Sequence, residues 1–171
     1  MARAGYQLGF MNIDPLLQLL RRKARHTHQE LAEMLSLSEE EVRSRISEWE
    51  EDGTIVGYQA LIDPDRAGDQ DVAAFIEVKL TPERGGGFDR LATRIARFEQ
   101  VTSCYLASGG YDLMVVVEGG GLREVAAFVS EKLSTMDGVL STATHFRLKT
   151  YKENGFLFAG DDEPGRLAVA P

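Results

Sequence analysis

Arg43 and Arg45 stand two residues apart in the segment SEEEVRSRISEWEE, with Ser44 between them and Ser47 just beyond. A guanidinium can bond a guanine edge bidentately or hold a phosphate oxygen. The same segment opens on Glu39, Glu40 and Glu41. Carboxylates sit badly beside phosphate, although a glutamate can accept a hydrogen bond from cytosine N4. Acids in the first turn of a helix also stabilise its dipole. Other chemistries have little to work with. The three histidines and the single Cys104 form no metal-ligand cluster, and no acid–base set recurs at close spacing.

The elements that would position these side chains read clearly. Thr27 with Glu30 three residues on, and Ser38 with Glu41, are two capping boxes. Leu31, Ala32, Met34 and Leu35 mark the buried side of the first of these helices. Val42, Ile46 and Trp49 recur at i, i+4 and i+7 on the second. Ser36, Leu37 and Ser38 join them, which makes a helix-turn-helix, a motif that lays its second helix in the DNA major groove. The exposed side of that helix carries Glu39, Glu40, Arg43, Ser44 and Ser47. An earlier helix is expected from Asn12 or Asp14 as cap, Pro15 in the first turn and Leu16, Leu17, Leu19 and Leu20 as its apolar face. It closes on Arg21, Arg22, Lys23 and Arg25, cations suited to a helix C-terminus or to phosphate. Gly53 suits the end of the third helix, and Ile55–Tyr58 reads as a strand.

Composition narrows the setting. The 171 residues, 43% apolar, allow one or two small packed domains. No apolar run approaches the roughly 20 residues that span a bilayer, so no membrane partner is expected. One cysteine forbids an internal disulfide and suits the cytoplasm. The net charge is −8, and the first 60 residues hold seven Lys/Arg against ten Asp/Glu. Indiscriminate nucleic-acid binding is thereby disfavoured.

Beyond the turn-rich segment Asp63 to Asp69, strand and helix periods alternate. Ile76, Val78 and Leu80 alternate with Glu77 and Lys79 as a half-buried strand. The loop Gly85, Gly86, Gly87 precedes a helix read from Phe88, Leu91, Ala92, Ile95 and Phe98. Strands follow at 102–108 and 112–118. A second helix is read from Leu122, Val125, Ala126, Val129 and Leu133, and a last strand at 139–151. On it Thr142, Thr144, Phe146 and Leu148 share one side, and His145, Arg147 and Lys149 the other. The βαββαβ order specifies a ferredoxin-like sandwich with both helices on one face of a four-stranded antiparallel sheet. Its mixed outer face suits burial against a second copy. The fold class is therefore α+β: a winged helix-turn-helix at 1–58, a linker at 59–70, a ferredoxin-like domain that dimerises at 71–152, and a tail at 153–171.

The two modules in this order resemble the Lrp/AsnC, or feast/famine, transcriptional regulators over roughly residues 12–152. The resemblance rests on Ala24-Arg25-x-Thr27, Glu30-Leu31-Ala32, Leu37-Ser38 with Val42, Arg45 and Ile46, and Glu50-x-x-Gly53-x-Ile55-x-Gly57-Tyr58 with Asp63-Pro64. Gly109-x-Tyr111-Asp112-Leu113 and Gly138-Val139-x-x-Thr142-x-Thr144 extend it. Thr81-Pro82-x-Arg84-Gly85-x-Gly87-Phe88-Asp89 and the block 128–140 are similar to a subgroup of mostly uncharacterised Gram-positive members. The resemblance implies a winged helix-turn-helix, a sheet that dimerises, further assembly of dimers into a tetramer or octamer, and an amino-acid effector. Carried over by motif, the effector loop is Ser108, Gly109, Gly110, Tyr111 and Asp112, with Thr142 and Thr144 nearby. Glycines admit a ligand close to the backbone, exposed amides hold a carboxylate, and an acid meets an ammonium. Gly109-Gly110 also reads as a hairpin turn that Asp112 caps. The expected DNA-contacting set is Thr27, His28, Gln29, Ser38, Glu40, Arg43, Ser44, Arg45 and Ser47, facing double-stranded operator DNA.

The chain departs from the family pattern at Ser36, where a glycine is usual in the turn, and at Glu39-Glu40-Glu41, more acidic than many recognition helices. The acidic tail Asp161, Asp162, Glu163 and Pro164 reads as mobile. Neither a cofactor nor an enzymatic reaction is expected. Two other readings stay open on these residues. One is a metabolite-binding assembly protein whose acidic helix has weak or lost DNA binding. The other is a sirohaem-decarboxylase-like enzyme using His145 or Tyr111.

Overall fold

The structure, a computed structural model, describes residues 13–82 and 88–158. Asn12, the glycines at 85–87 and the acidic residues at 161–164 lie outside the described residues. The chain divides into two compact units, Met1–Leu61 and Ile62–Pro171.

The first unit holds α1 (Pro15–Arg22), α2 (His28–Leu35) and α3 (Glu39–Glu51). Asp14 caps α1, its side chain accepting from Leu16 N at 2.8 Å, and Pro15 fills the first position. Both capping boxes form as the sequence specifies: Thr27 with Glu30 opens α2, and Ser38 with Glu41 opens α3. Leu16, Leu20, Leu31, Ala32, Val42 and Ile46 make the core, flanked by Leu35, Leu37, Trp49 and Ile55. Each large side chain fully buried here stabilises by roughly 1.5–3 kcal/mol, which is what fixes the angle between such short helices. Met34, expected on the buried side of α2, is 54% exposed. Ser36 adopts φ 57°, ψ 41°, the left-handed conformation that glycine takes without strain. Gly53, at φ 78°, closes α3 as expected.

Ile55–Tyr58 is not a strand. It has no β partner among the described residues, and Val56 is 96% exposed. An apolar, β-prone run becomes a strand only when a second strand satisfies its backbone, and none is supplied here.

The second unit begins with the short helix α4 (Pro64–Ala67), capped by Asp63. Four strands then form one antiparallel sheet: β1 (Val72–Leu80), β2 (Val101–Leu106), β3 (Leu113–Gly119) and β4 (Val139–Phe146), in spatial order β2-β3-β1-β4. α5 (Asp89–Ile95) and α6 (Leu122–Ala127) cover one face. Their core joins Ile76, Val78, Leu113, Val115 and Val117 to Ile95, Phe128, Leu133 and Met136. This is the expected βαββαβ sandwich. Phe98 and Phe128 meet edge to face at 5.3 Å inside it.

The second covering helix differs from the reading in one respect. After Ala127 the chain winds as a π-helical turn, Phe128–Leu133, with Ser134 N–H donating to Val129 O at 2.8 Å. Widening the turn rotates the buried stripe. It runs through Val125, Phe128, Leu133 and Met136, whereas Leu122 and Ala126 face outward. The last strand is also shorter than read: it stops at Phe146, and Leu148 is 95% exposed. Across the boundary of the expected tail, β5 (Lys152–Glu153) and β6 (Phe156–Leu157) pair as a small hairpin.

Candidate functional site

Two places carry the expected site residues, one in each unit. In the first, α3 buries Val42 and Ile46 and holds Trp49 and Arg45 half-buried. That leaves Glu40, Arg43, Ser44 and Ser47, spaced i, i+3, i+4 and i+7, as one outward stripe. The two arginines have different fates. Arg45 reaches across to the cap of α1, its Nη1 donating to Asp14 Oδ2 at 3.4 Å. It ties α3 to α1 and is turned away from the outward stripe. Arg43 stays on the surface, its Nη1 donating to Glu40 Oε2 at 2.9 Å and its Nη2 to Glu39 Oε1 at 3.1 Å. The i,i+3 and i,i+4 charge spacing could have announced those pairs. The Asp14–Arg45 contact, 31 residues apart, had no such signal.

Thr27 and Ser38 are committed to their caps. Thr27 Oγ1 accepts from Glu30 N–H at 3.1 Å, and Thr27 N–H donates to Glu30 Oε2 at 2.8 Å. Ser38 N–H and Oγ–H both donate to Glu41 Oε2 at 2.8 Å. The Thr27 backbone bond and then the nearby His26 hold the Glu30 carboxyl below the usual range, and the Ser38 bonds do the same for Glu41. Gln29 is exposed and donates to Glu33 at 3.1 Å, while His28 is half-buried. The tight turn thus presents α3 on a rigid mount, with only Glu40, Arg43, Ser44 and Ser47 of the expected set on its outward face.

In the second unit, the expected effector loop joins β2 to β3. Ala107 N–H donates to Asp112 O at 2.8 Å and closes it; Asp112 N–H donates to Val78 O at 2.9 Å. Asp112 Oδ2 accepts from Leu80 N–H at 2.7 Å. The carboxylate therefore pins the loop to β1 at the register shift between Lys79 and Leu80. The sequence marks Asp112 but carries no signal for this partner, 32 residues away. Gly109, at φ 139°, is where the loop needs glycine; neither it nor Gly110 would meet an atom within 4 Å if given a Cβ. Ser108, Gly109 and Gly110 are exposed, and Tyr111 is half-buried.

The register brings the rest of the set to the same end of the sheet. Val78 pairs with Leu113 on one side and with Thr142 on the other. Leu113 and Thr142 therefore flank β1 at one level, two strand spacings or about 10 Å apart, with Asp112 one residue before Leu113. Thr142 Oγ1 lies 3.2 Å from Ser134 Oγ, and Thr144 is half-buried two residues on. Cys104 points to the helix side, where burial pushes its thiol pKa up. Among the described residues no group of three or more His, Cys, Asp or Glu could hold a metal ion. No helix there is long and apolar enough to cross a membrane.

This two-part arrangement has known counterparts. Residues 16–56 match the model for a winged helix-turn-helix DNA-binding domain, and residues 73–157 the model for the Lrp/AsnC ligand-binding domain. An uncharacterised HTH-type transcriptional regulator of Bacillus subtilis, YugG, is 45% identical over 91% of this chain and 95% of its own. The chain belongs to the Lrp/AsnC family. Among solved structures, a Neisseria meningitidis transcriptional regulator in complex with L-methionine is 25% identical, with a TM-score of 0.65 over 83% of this chain and 94% of that one. A feast or famine regulatory protein of M. tuberculosis, also complexed with L-methionine, is 28% identical, with a TM-score of 0.63 over 81% and 90%. As a member, this chain is a metabolite-responsive, DNA-binding transcriptional regulator.

Proposed function

We propose that α3 reads operator DNA through Glu40, Arg43, Ser44 and Ser47, and that an amino acid binds at Ser108–Asp112 with Thr142 and Thr144. The observation that carries the first half is the capped, rigid helix-turn-helix whose third helix keeps one polar stripe free of the core. The second half is supported by the open glycine loop at the same end of the sheet as Thr142 and by the two relatives solved with L-methionine. Residues 59–70 join the two functions. The effector changes DNA affinity by at most the ratio of its affinities for the DNA-binding and non-binding arrangements.

The sheet supports a dimer. Its uncovered face carries Phe75, Met114, Val116 and Tyr105, with Glu77 paired to His145 at 3.4 Å and Glu118 to Arg147 at 3.7 Å. A second copy covers this face, and dimers can assemble into a tetramer or octamer. Paired α3 helices then meet half-sites about one DNA turn apart, which makes the operator palindromic. The protein acts in the cytoplasm, by binding and without a reaction of its own.

Gel-shift titration against selected genomic fragments, with and without L-methionine, tests the proposal. Sequence-dependent shifts that the amino acid alters support it, and uniform weak binding to every fragment contradicts it. The pairing of Arg43 with two glutamates favours one second reading, a metabolite-binding assembly protein with weak DNA binding. Retained methionine binding without any preferred DNA would select that reading.

A further inference from the structure

Three glutamates at the start of a DNA-reading helix call for a reason. Taking 100° per residue, Val42, Ile46, Trp49 and Arg45 centre the packed side of α3. Glu40 then lies within about 20° of the opposite direction, nearer to it than Arg43. Glu39 falls toward the packed flank, and Glu41 is consumed by the capping box. A helix that lowers its outward face and N-terminal turn into the major groove must bring Glu40 to the base edges. Its side chain is 80% exposed and is held to Arg43 at 2.9 Å.

A carboxylate at that depth needs a donor. The major groove offers two, cytosine N4 and adenine N6. Adenine sets the N7 acceptor beside its amine, which repels a carboxylate; cytosine presents the amine alone. Arg43 is bound to Glu39 and Glu40 through one N–H of each terminal nitrogen, and three of its five N–H groups remain for guanine O6 and N7. Positions 40 and 43 are separated by about 4.5 Å along the helix, against about 3.4 Å per base-pair step, so the two side chains address adjoining pairs.

We propose that Glu40 and Arg43 are a joint specificity element, selecting an operator half-site with cytosine facing Glu40 and guanine facing Arg43 at the adjoining base pair. This rests on the DNA-reading proposal above. It also gives the acidic opening of α3 a function: Glu40 selects a base, and Glu39 and Glu40 together keep Arg43 from holding any phosphate indiscriminately.

The test is in vitro selection from a randomised duplex library with the full chain, as wild type, Glu40→Gln and Arg43→Ala. Both positions are exposed, and matching thermal melts confirm the folds. The wild-type motif is expected to hold a cytosine next to a guanine in each half-site. Glu40→Gln should move the cytosine position to adenine, because a glutamine amide bonds N6 and N7 together, by roughly tenfold or more. Arg43→Ala should erase the guanine preference alone. Glu40→Gln with an unchanged motif, or with tighter binding to all sequences equally, overturns the inference while leaving DNA reading intact. A wild type that enriches no sequence overturns the DNA-reading proposal itself.

Discussion

Replacing Asp112 by alanine removes the acceptor for Leu80 N–H, a donor on a residue only 3% exposed and bonded at 2.7 Å. An orphaned buried donor costs about 1–3 kcal/mol, toward the upper end when the lost acceptor was charged. We take about 2 kcal/mol. For a unit of this size each kcal/mol lowers the melting temperature by roughly 4–8 °C, so Asp112→Ala should lower the second unit's transition by roughly 8–16 °C. Asp112→Asn keeps an acceptor oxygen but loses charge assistance, which is about half the bond, and should cost about 1 kcal/mol. Scanning calorimetry of the three proteins at one pH reads both numbers. An alanine variant within about 0.5 kcal/mol of wild type would refute the pinning role of Asp112. The same pair serves the effector question. Asparagine leaves the loop closed but removes the charge that would meet an ammonium, so amino-acid binding should weaken in Asp112→Asn without loss of fold.

Ser36→Gly should stabilise the first unit by about 0.5–1 kcal/mol, left-handed relief of about 1–2 kcal/mol exceeding the added unfolded-state freedom; chemical denaturation reads the sign directly. If Arg43 also holds a phosphate in the complex, Arg43→Ala should flatten the logarithmic salt dependence of DNA binding by about one unit. Arg45→Ala should leave that slope unchanged and instead loosen α1 against α3 by about 0.5 kcal/mol, in fluorescence-based affinity and melting measurements. Glu30 and Glu41 have folded pKa values depressed below their ordinary 4.5, so their contribution is full above that value and is lost as pH falls through the lower folded value. Thermal melts from pH 6 to pH 3 should fall less steeply for the Glu30→Gln, Glu41→Gln variant than for wild type.

Local rules carried most of the fold. Thr27 with Glu30, and Ser38 with Glu41, each satisfy their helix within four residues, so type and spacing suffice to place α2 and α3. The sheet was equally legible, because Ile76, Val78 and Leu80 alternate at the strand period. What escaped depends on partners distant in the chain. Ile55–Tyr58 has strand composition, but only a second backbone makes a strand. Ahead of the π-helical turn at Phe128–Leu133, the chain turns Val125 and Phe128 to the sheet and leaves Leu122 and Ala126 exposed, a choice among apolar residues that helical spacing alone does not make. At the site, the sequence named Arg43 and Arg45 as equals. Asp14, 31 residues away, separates them by drawing Arg45 into the scaffold. Asp112 was visible as a candidate ligand group, whereas its bond to Leu80 required the register of β1 against the loop.

In the proposed function, one chain couples sequence-specific DNA reading to an amino acid. Selection of bound fragments from genomic DNA, run with the full chain in the absence and presence of an L-amino-acid mixture, measures both at once. The expected result is a small set of enriched loci sharing a palindromic motif, with occupancy changed by the amino acids. Recovery of fragments in proportion to their input, unchanged by the mixture, would contradict it.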